Sequence, residues 1–319
     1  MQRRRAKFVV LAALFLGVAG NTWVYLHARA MTHFADGGRL TSEPASMTTG
    51  EKLRVLAVGA TIPRPANRWL PSEMGLPYRI HRFPGGEGVL EAWEIPAEFS
   101  KGWVLLFHGF ALAKGNLLDV AAYFHRLGWS TFLVDFRGSG GSSGKRTSLG
   151  WHEAQDVADT MAYVQAILHE PAPVLYGHSM GAVAVLRATA EYGVKPKAII
   201  ADATFNRLLT TTEHRFELMG LPSWPAAWLL IFWGGWQNGF NGFAHNPEDY
   251  AKKVTCKVLL LRGALDPTVT QADMARIGNA LAGPKEGHQF ASEGHDSSLS
   301  VDEAAWAAVV GPFLERIDW

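Results

Sequence analysis

Pro173-Val174-Leu175-Tyr176-Gly177-His178-Ser179-Met180-Gly181-Ala182-Val183-Ala184-Val185-Leu186 decides the fold. Its first four residues are a short apolar run suited to a strand buried on both faces. From Gly181 the small, apolar residues open a helix that continues to about Tyr192. A serine at a sharp strand-to-helix turn, with glycine two places to either side, has its hydroxyl lifted out of the sheet. The glycines permit the turn and let the helix pack closely on the neighbouring strands. Ser179 is therefore the candidate nucleophile.

Working outward, strand-like and helix-like runs alternate. Trp103–Phe107, Thr131–Asp135, Ala198–Ala201 and Val258–Leu261 are apolar runs of strand length. Leu117–Leu127, Glu153–Leu168, Ala182–Tyr192, Ala272–Leu281 and Asp302–Ile317 carry helical patterns. Pro77–Phe83 and Val89–Ile95 flank Pro84-Gly85-Gly86-Glu87-Gly88 as a hairpin. The pattern predicts an α/β fold, an open, mostly parallel sheet with helices on both faces. In such sheets ligands bind beyond the carboxyl ends of the strands, so chemistry is sought there.

A serine hydroxyl needs a histidine to accept its proton. Of the 12 histidines, His295, in Glu293-Gly294-His295-Asp296, follows a predicted last strand Gln289–Ser292 and so lies at a carboxyl end. His288 enters that strand and falls at the wrong edge. Asp266 closes Leu259-Leu260-Leu261-Arg262-Gly263-Ala264-Leu265-Asp266 where a strand gives way to a loop, and is the candidate carboxylate for His295. Asp202, at the end of Ile199-Ile200-Ala201-Asp202, is its rival. For an oxyanion the natural donors are the backbone N–H of Met180 and, in the loop after Val104–Phe107, that of Phe110; His108 reads as an organiser of that loop.

His108-Gly109, Asp135-Phe136-Arg137-Gly138-Ser139-Gly140-Gly141-Ser142, the serine turn, Gly263–Asp266 and Gly294-His295 together resemble the alpha/beta hydrolase family, in its serine esterase, monoacylglycerol-lipase-like and serine-aminopeptidase-like branch. The resemblance covers about Leu76 to the C-terminus. It implies an eight-stranded sheet, a metal-free Ser-Asp-His triad and a small cap inserted after the sixth strand. Phe205–Tyr250 is that cap. It is short and rich in aromatic residues. Trp224, Trp228, Phe232 and Trp233 are candidates to cover an acyl-sized, substrate-binding pocket; packing within the cap and contact with a membrane are the competing uses.

The N-terminus carries separate information. Arg3, Arg4, Arg5 and Lys7 precede an apolar run from Phe8 to Leu26. At about 1.5 Å per residue such a run just crosses a hydrocarbon core, with the basic flank cytoplasmic. Residues 1–30 are therefore read as a membrane-type helix that anchors an extracytoplasmic catalytic part. A cleaved signal segment ending at Val18-Ala19-Gly20, which would give a secreted protein, and a core helix are the alternatives. Residues 31–76 read as a connector and 77–319 as the hydrolase domain.

Composition narrows the partners. Over 319 residues, 30 Lys and Arg against 29 Asp and Glu leave no field to recruit nucleic acid. A single cysteine, Cys256, excludes an internal disulfide and a thiolate-rich metal site. No His-Glu-x-x-His occurs, and Gly138-Ser139-Gly140-Gly141 lacks the dinucleotide spacing. The expectation is a serine hydrolase without cofactor or metal that cleaves a small ester with an apolar acyl group. An aminopeptidase or amidase on the same residues, and a non-catalytic membrane-anchored scaffold, are the alternative readings.

Overall fold

The structure, a computed structural model, describes residues 2–170, 172–295, 299 and 302–317; Asp296 of the His295 motif lies outside them. Among the described residues one sheet of eight strands dominates: β1 Arg79–Gly85, β2 Gly88–Ile95, β3 Trp103–Phe107, β4 Ser130–Asp135, β5 Val174–His178, β6 Ala198–Asp202, β7 Lys257–Gly263 and β8 Lys285–Phe290. Their spatial order is β1-β2-β4-β3-β5-β6-β7-β8. β2 pairs antiparallel with both β1 and β4, and every pairing from β4 to β8 is parallel. The sheet is thus mixed, parallel throughout its centre.

Alternation along the central strands feeds two cores. Leu105, Phe107, Leu175, Ile199, Ala201, Val258 and Leu260 face one layer. It holds α4 Glu153–Ile167, α5 Met180–Glu191, α8 Pro247–Ala251 and α9 Gln271–Ala280. Val104, Leu106, Tyr176, Ile200, Leu259 and Leu261 face the other, closed by α3 Leu118–Arg126 and α10 Glu303–Glu315. A period of two places successive side chains on opposite faces, which is why these runs are apolar without interruption.

Two sequence expectations shift. The last strand is Lys285–Phe290, not Gln289–Ser292. It is the sheet's edge, carrying Lys285, Glu286 and His288, and charged side chains suit an edge strand that only one neighbour pairs. His288 therefore lies within the strand, opposite Leu261, and His295 lies in the loop beyond it. The cap is also shorter than Phe205–Tyr250: it comprises α6 Leu208–Leu218, α7 Ala226–Gln237 and a 3-10 turn at Gly242–Ala244. α8 packs instead on α5 and α9, as part of the layer on the sheet.

The N-terminal residues do more than lead into this domain. α1 runs unbroken over Gln2–Thr32 and packs along α7 of the cap. The following segment carries α2 Thr49–Val58, capped reciprocally by Thr48 and Glu51. Arg64 holds this segment down by donating to the carbonyls of Gly140 and Ser142. Residues expected as anchor and connector thus close over the carboxyl end of the sheet.

Candidate active site

β5 ends at His178 and α5 begins at Met180, leaving Ser179 alone at the corner with φ +51° and ψ −114°. A non-glycine residue at positive φ is strained and is held only where its surroundings dictate it. They do so here by close approach. A Cβ on Gly177 would lie 2.5 Å from the Ala182 nitrogen, and one on Gly181 2.2 Å from the Phe107 carbonyl oxygen. The start of α5 is pressed against the end of β3. The Ser179 N–H donates to the Asp202 carbonyl oxygen at 2.7 Å, which pins the corner to β6.

From that corner the Ser179 hydroxyl reaches His295. Oγ lies 3.1 Å from Nε2 of His295, whose Nδ1 lies 2.7 Å from Asp266 Oδ2. Asp266 has no proton to offer at ordinary pH, so Nδ1–H donates to it and Nε2 is left to accept from the serine. The other Asp266 oxygen accepts from the N–H groups of Thr268 and Val269 at 2.7 and 3.0 Å and from the Thr268 hydroxyl at 2.8 Å. Burial works against the charge on Asp266, but the contacts with His295 and these two N–H groups outweigh it and hold its carboxyl below the usual carboxylate range.

The rival residues are placed elsewhere. Asp202 accepts from the Tyr176 hydroxyl at 2.9 Å, and burial pushes its carboxyl up, the wrong direction for a group that must balance an imidazolium. His288 is in β8.

Phe110 and Met180 both line the same cavity as Ser179 and His295. Met180 is the first residue of α5, and a first-turn N–H has no acceptor within its own helix. The Phe110 loop is set by His108, which is fully buried. His108 Nε2 accepts the Phe136 N–H at 3.1 Å, so its other nitrogen carries the proton and donates to the Gly109 carbonyl at 2.8 Å. Burial lowers the His108 pKa, which keeps this neutral bridge between the β3 and β4 loops intact.

The cavity measures about 310 Å³, the lower end of the range for small-molecule sites. Its walls correct the sequence expectation. Trp224, Trp228, Phe232 and Trp233 do not line it. Trp224, Trp228 and Phe232 are exposed, and Trp233 packs edge-on to Tyr25 of α1. The face that α7 turns to the cavity holds its small and aliphatic residues, including Leu230, Ile231 and Gly234. The opposite wall is α1 and its connector: Trp23, Val24, Ala28, Met31, Leu40 and Ile62.

Thr268 and His178 also escaped sequence reasoning. Thr268 follows Asp266 closely, a weak signal. His178 adjoins the serine, but nothing in the chain order shows that its ring reaches the loop carrying His295.

Residues 99–248 match the family described as serine aminopeptidase, S33. An uncharacterized protein of Bacillus subtilis, YqkD, is 24% identical over 232 residues, 72% of this chain and 76% of that one. A monoacylglycerol lipase of Mycolicibacterium smegmatis is 32% identical over 124 residues, 38% of this chain and 44% of that protein. Among solved structures, an esterase of Pyrococcus furiosus superposes with a TM-score of 0.68 at 21% identity, covering 80% of this chain and 97% of its own. The sheet order, the serine corner and the superposition agree: the chain has the alpha/beta hydrolase fold, and its sequence is similar to serine-aminopeptidase- and monoacylglycerol-lipase-type proteins.

Proposed function

We propose that the protein is a serine hydrolase that cleaves carboxylic esters with an apolar acyl chain through an acyl-enzyme. The observation that carries this reading is the unbroken chain of contacts from Ser179 to His295 to Asp266, opening into an apolar cavity. Ser179 Oγ attacks the ester carbonyl carbon as its proton passes to His295 Nε2, and the imidazolium is balanced by Asp266. The oxyanion takes hydrogen bonds from the N–H groups of Met180 and Phe110. Collapse expels the alcohol, which leaves with the proton from His295. Water then attacks the acyl-serine by the same route and releases the acid.

An ester is favoured over a peptide by the walls. Among the described residues that line the cavity, Glu43 is the one carboxylate and it is exposed, whereas a free substrate amine calls for a buried one. α1 is, by length and composition, long and apolar enough to cross a membrane. With Arg4, Arg5 and Lys7 at its far end, the reading extends to an uncleaved anchor with the catalytic part outside the cytoplasm.

A fluorophosphonate probe tests the nucleophile. Wild-type protein is labelled and Ser179→Ala is not; equal labelling of the two would remove Ser179 from the role. Rates on p-nitrophenyl esters and on amino-acid amides test the substrate class, and turnover confined to the amides would reverse it.

A further inference from the structure

α7 is apolar all round, yet the cavity and α1 together cover only part of it. Ala227, Ile231 and Gly235 are buried. Trp228, Phe232 and Trp236 recur every fourth residue and so share one face, and Trp224 stands in the turn just ahead of the helix. All four are exposed, Trp224 to 75% and Trp236 to 64%. A row of large aromatic rings in water is the surface a soluble protein avoids, and it marks a contact.

What covers the row follows from its neighbour. The Trp233 indole N–H points at Asn21 Oδ1 at 3.4 Å and its ring meets Tyr25, while Gln237 donates to the Tyr25 carbonyl at 2.8 Å. From Trp233 to Gln237 the partner moves from Asn21 to Tyr25, so the helices run side by side in the same direction. Trp228 and Trp224, which precede Trp233, therefore lie level with the part of α1 that precedes Asn21, where Leu14, Phe15 and Val18 are exposed. Among its described side chains, α1 is first buried at Val24. Ahead of Asn21, the stretch from Phe8 to Gly20 spans only about 20 Å, short of the roughly 30 Å of a hydrocarbon core. For the apolar run to reach its full depth, the lipid must rise past Asn21, and α7 must then enter it as well.

We propose that the aromatic row Trp224–Trp228–Phe232–Trp236 and the exposed apolar side of α1 form one surface that sits in a lipid bilayer, with the substrate cavity opening at that surface. Trp23 and Leu40 line the cavity and are themselves exposed, so it reaches the outside beside the contact between α1 and α7. Resting on the ester reading above, this makes the substrate a lipid ester that passes from the bilayer to Ser179 without crossing water. Tryptophan suits such a position, having an apolar body and one polar edge.

The full-length protein carrying Cys256→Ser is reconstituted in phosphatidylcholine vesicles with an environment-sensitive fluorophore on Trp228→Cys, Phe232→Cys or Phe99→Cys. Phe99 is exposed in the loop between β2 and β3, away from the cavity. Lipids with a spin label on the acyl chain are expected to quench the first two and spare the third. In parallel, Trp224→Ser/Trp236→Ser is expected to lose at least about tenfold in rate on a long-chain monoacylglycerol held in vesicles. Its rate on soluble p-nitrophenyl butyrate should stay within about twofold of wild type. Unquenched labels at 228 and 232 would overturn the docking, as would labels shielded only when two copies crosslink through this face. Because quenching needs no catalysis, it decides the docking even if the ester chemistry fails.

Discussion

His178 donates its Nε2–H to the main-chain carbonyl oxygen of His295 at 3.0 Å. The residue beside the candidate nucleophile thus holds the backbone of the candidate base. A carbonyl can only accept, so the tautomer of His178 is set by the contact. Burial lowers the pKa of His178, which leaves it neutral beside the imidazole that the proposed mechanism charges. His178→Leu removes the donor and frees the His295 loop. A displacement of about 1 Å costs on the order of a hundredfold in rate, so kcat should fall by roughly ten- to a hundredfold with KM within about twofold. His178→Gln, which keeps a donor, should recover part of the loss. Equal kcat for the Leu and Gln variants would show that the contact positions nothing.

Asp266 and Asp202 make a second test, since Asp202 ends β6 and Asp266 lies in the turn just past the end of β7. Only Asp266 touches the imidazole. Asp266→Asn should reduce kcat/KM by about 10⁴, the loss that follows when the imidazole is held in the wrong tautomer. Asp202→Asn keeps the contact with the Tyr176 hydroxyl and should cost less than about tenfold. Steady-state rates on a short-chain p-nitrophenyl ester check both, and the reverse ranking would exchange their roles.

How much of this could be read from the chain depends on which physical signal each part leaves. β3 to β7 are buried on both faces, and an uninterrupted apolar run such as Val104-Leu105-Leu106-Phe107 cannot hide. β8 is an edge, where Lys285 and Glu286 meet solvent, and its polar pattern concealed its start. Ser179, Asp266 and His295, which the structure brings into contact, are candidates in sequence because each follows the end of a strand, a property of chain order. Thr268 leaves only its place two residues after Asp266, while His178 and the cavity wall from Trp23 to Ile62 act through contacts between distant segments, for which chain order leaves no mark. The aromatic residues of α7 misled for a further reason: a helix that is apolar all round shows no preferred face in sequence, so nothing told the cavity side from the exposed one.

The cavity wall supplied by α1 leads to a prediction about acyl length. Ala28 is buried and lines the cavity, so a larger side chain there grows into the space an acyl chain would take. Excluding two methylenes costs roughly 1.6 kcal/mol, or about tenfold in binding. Ala28→Phe should therefore lower kcat/KM for a twelve-carbon acyl ester by at least about tenfold and leave a two-carbon ester within about threefold. A uniform drop across chain lengths, measured on a p-nitrophenyl ester series, would place the acyl chain against another wall.

Acid sensitivity should originate at the base of the cap, where His245 is fully buried. Its Nε2–H donates to the Leu149 carbonyl at 3.0 Å, so Nδ1 accepts the Tyr250 hydroxyl proton at 2.9 Å. Leu149 lines the cavity, and the imidazole thereby ties the cap to the cavity wall. Burial is the main cause that lowers the His245 pKa from 6.5 to about 4; the Leu149 contact opposes it and the charge of Arg187 adds to it. As pH falls below about 6.5 the unfolded chain binds a proton that the folded chain refuses. Stability is therefore full above that pH, declines as pH approaches 4, and levels off below it. The difference amounts to about 3 kcal/mol across the window. Urea unfolding at pH 7 and pH 4.5 checks this: His245→Gln should start less stable at pH 7 but lose about 2 kcal/mol less on acidification than wild type. Parallel losses in the two proteins would mean that His245 takes up its proton in the folded state at its ordinary pKa, and that the tie between cap and wall survives in acid.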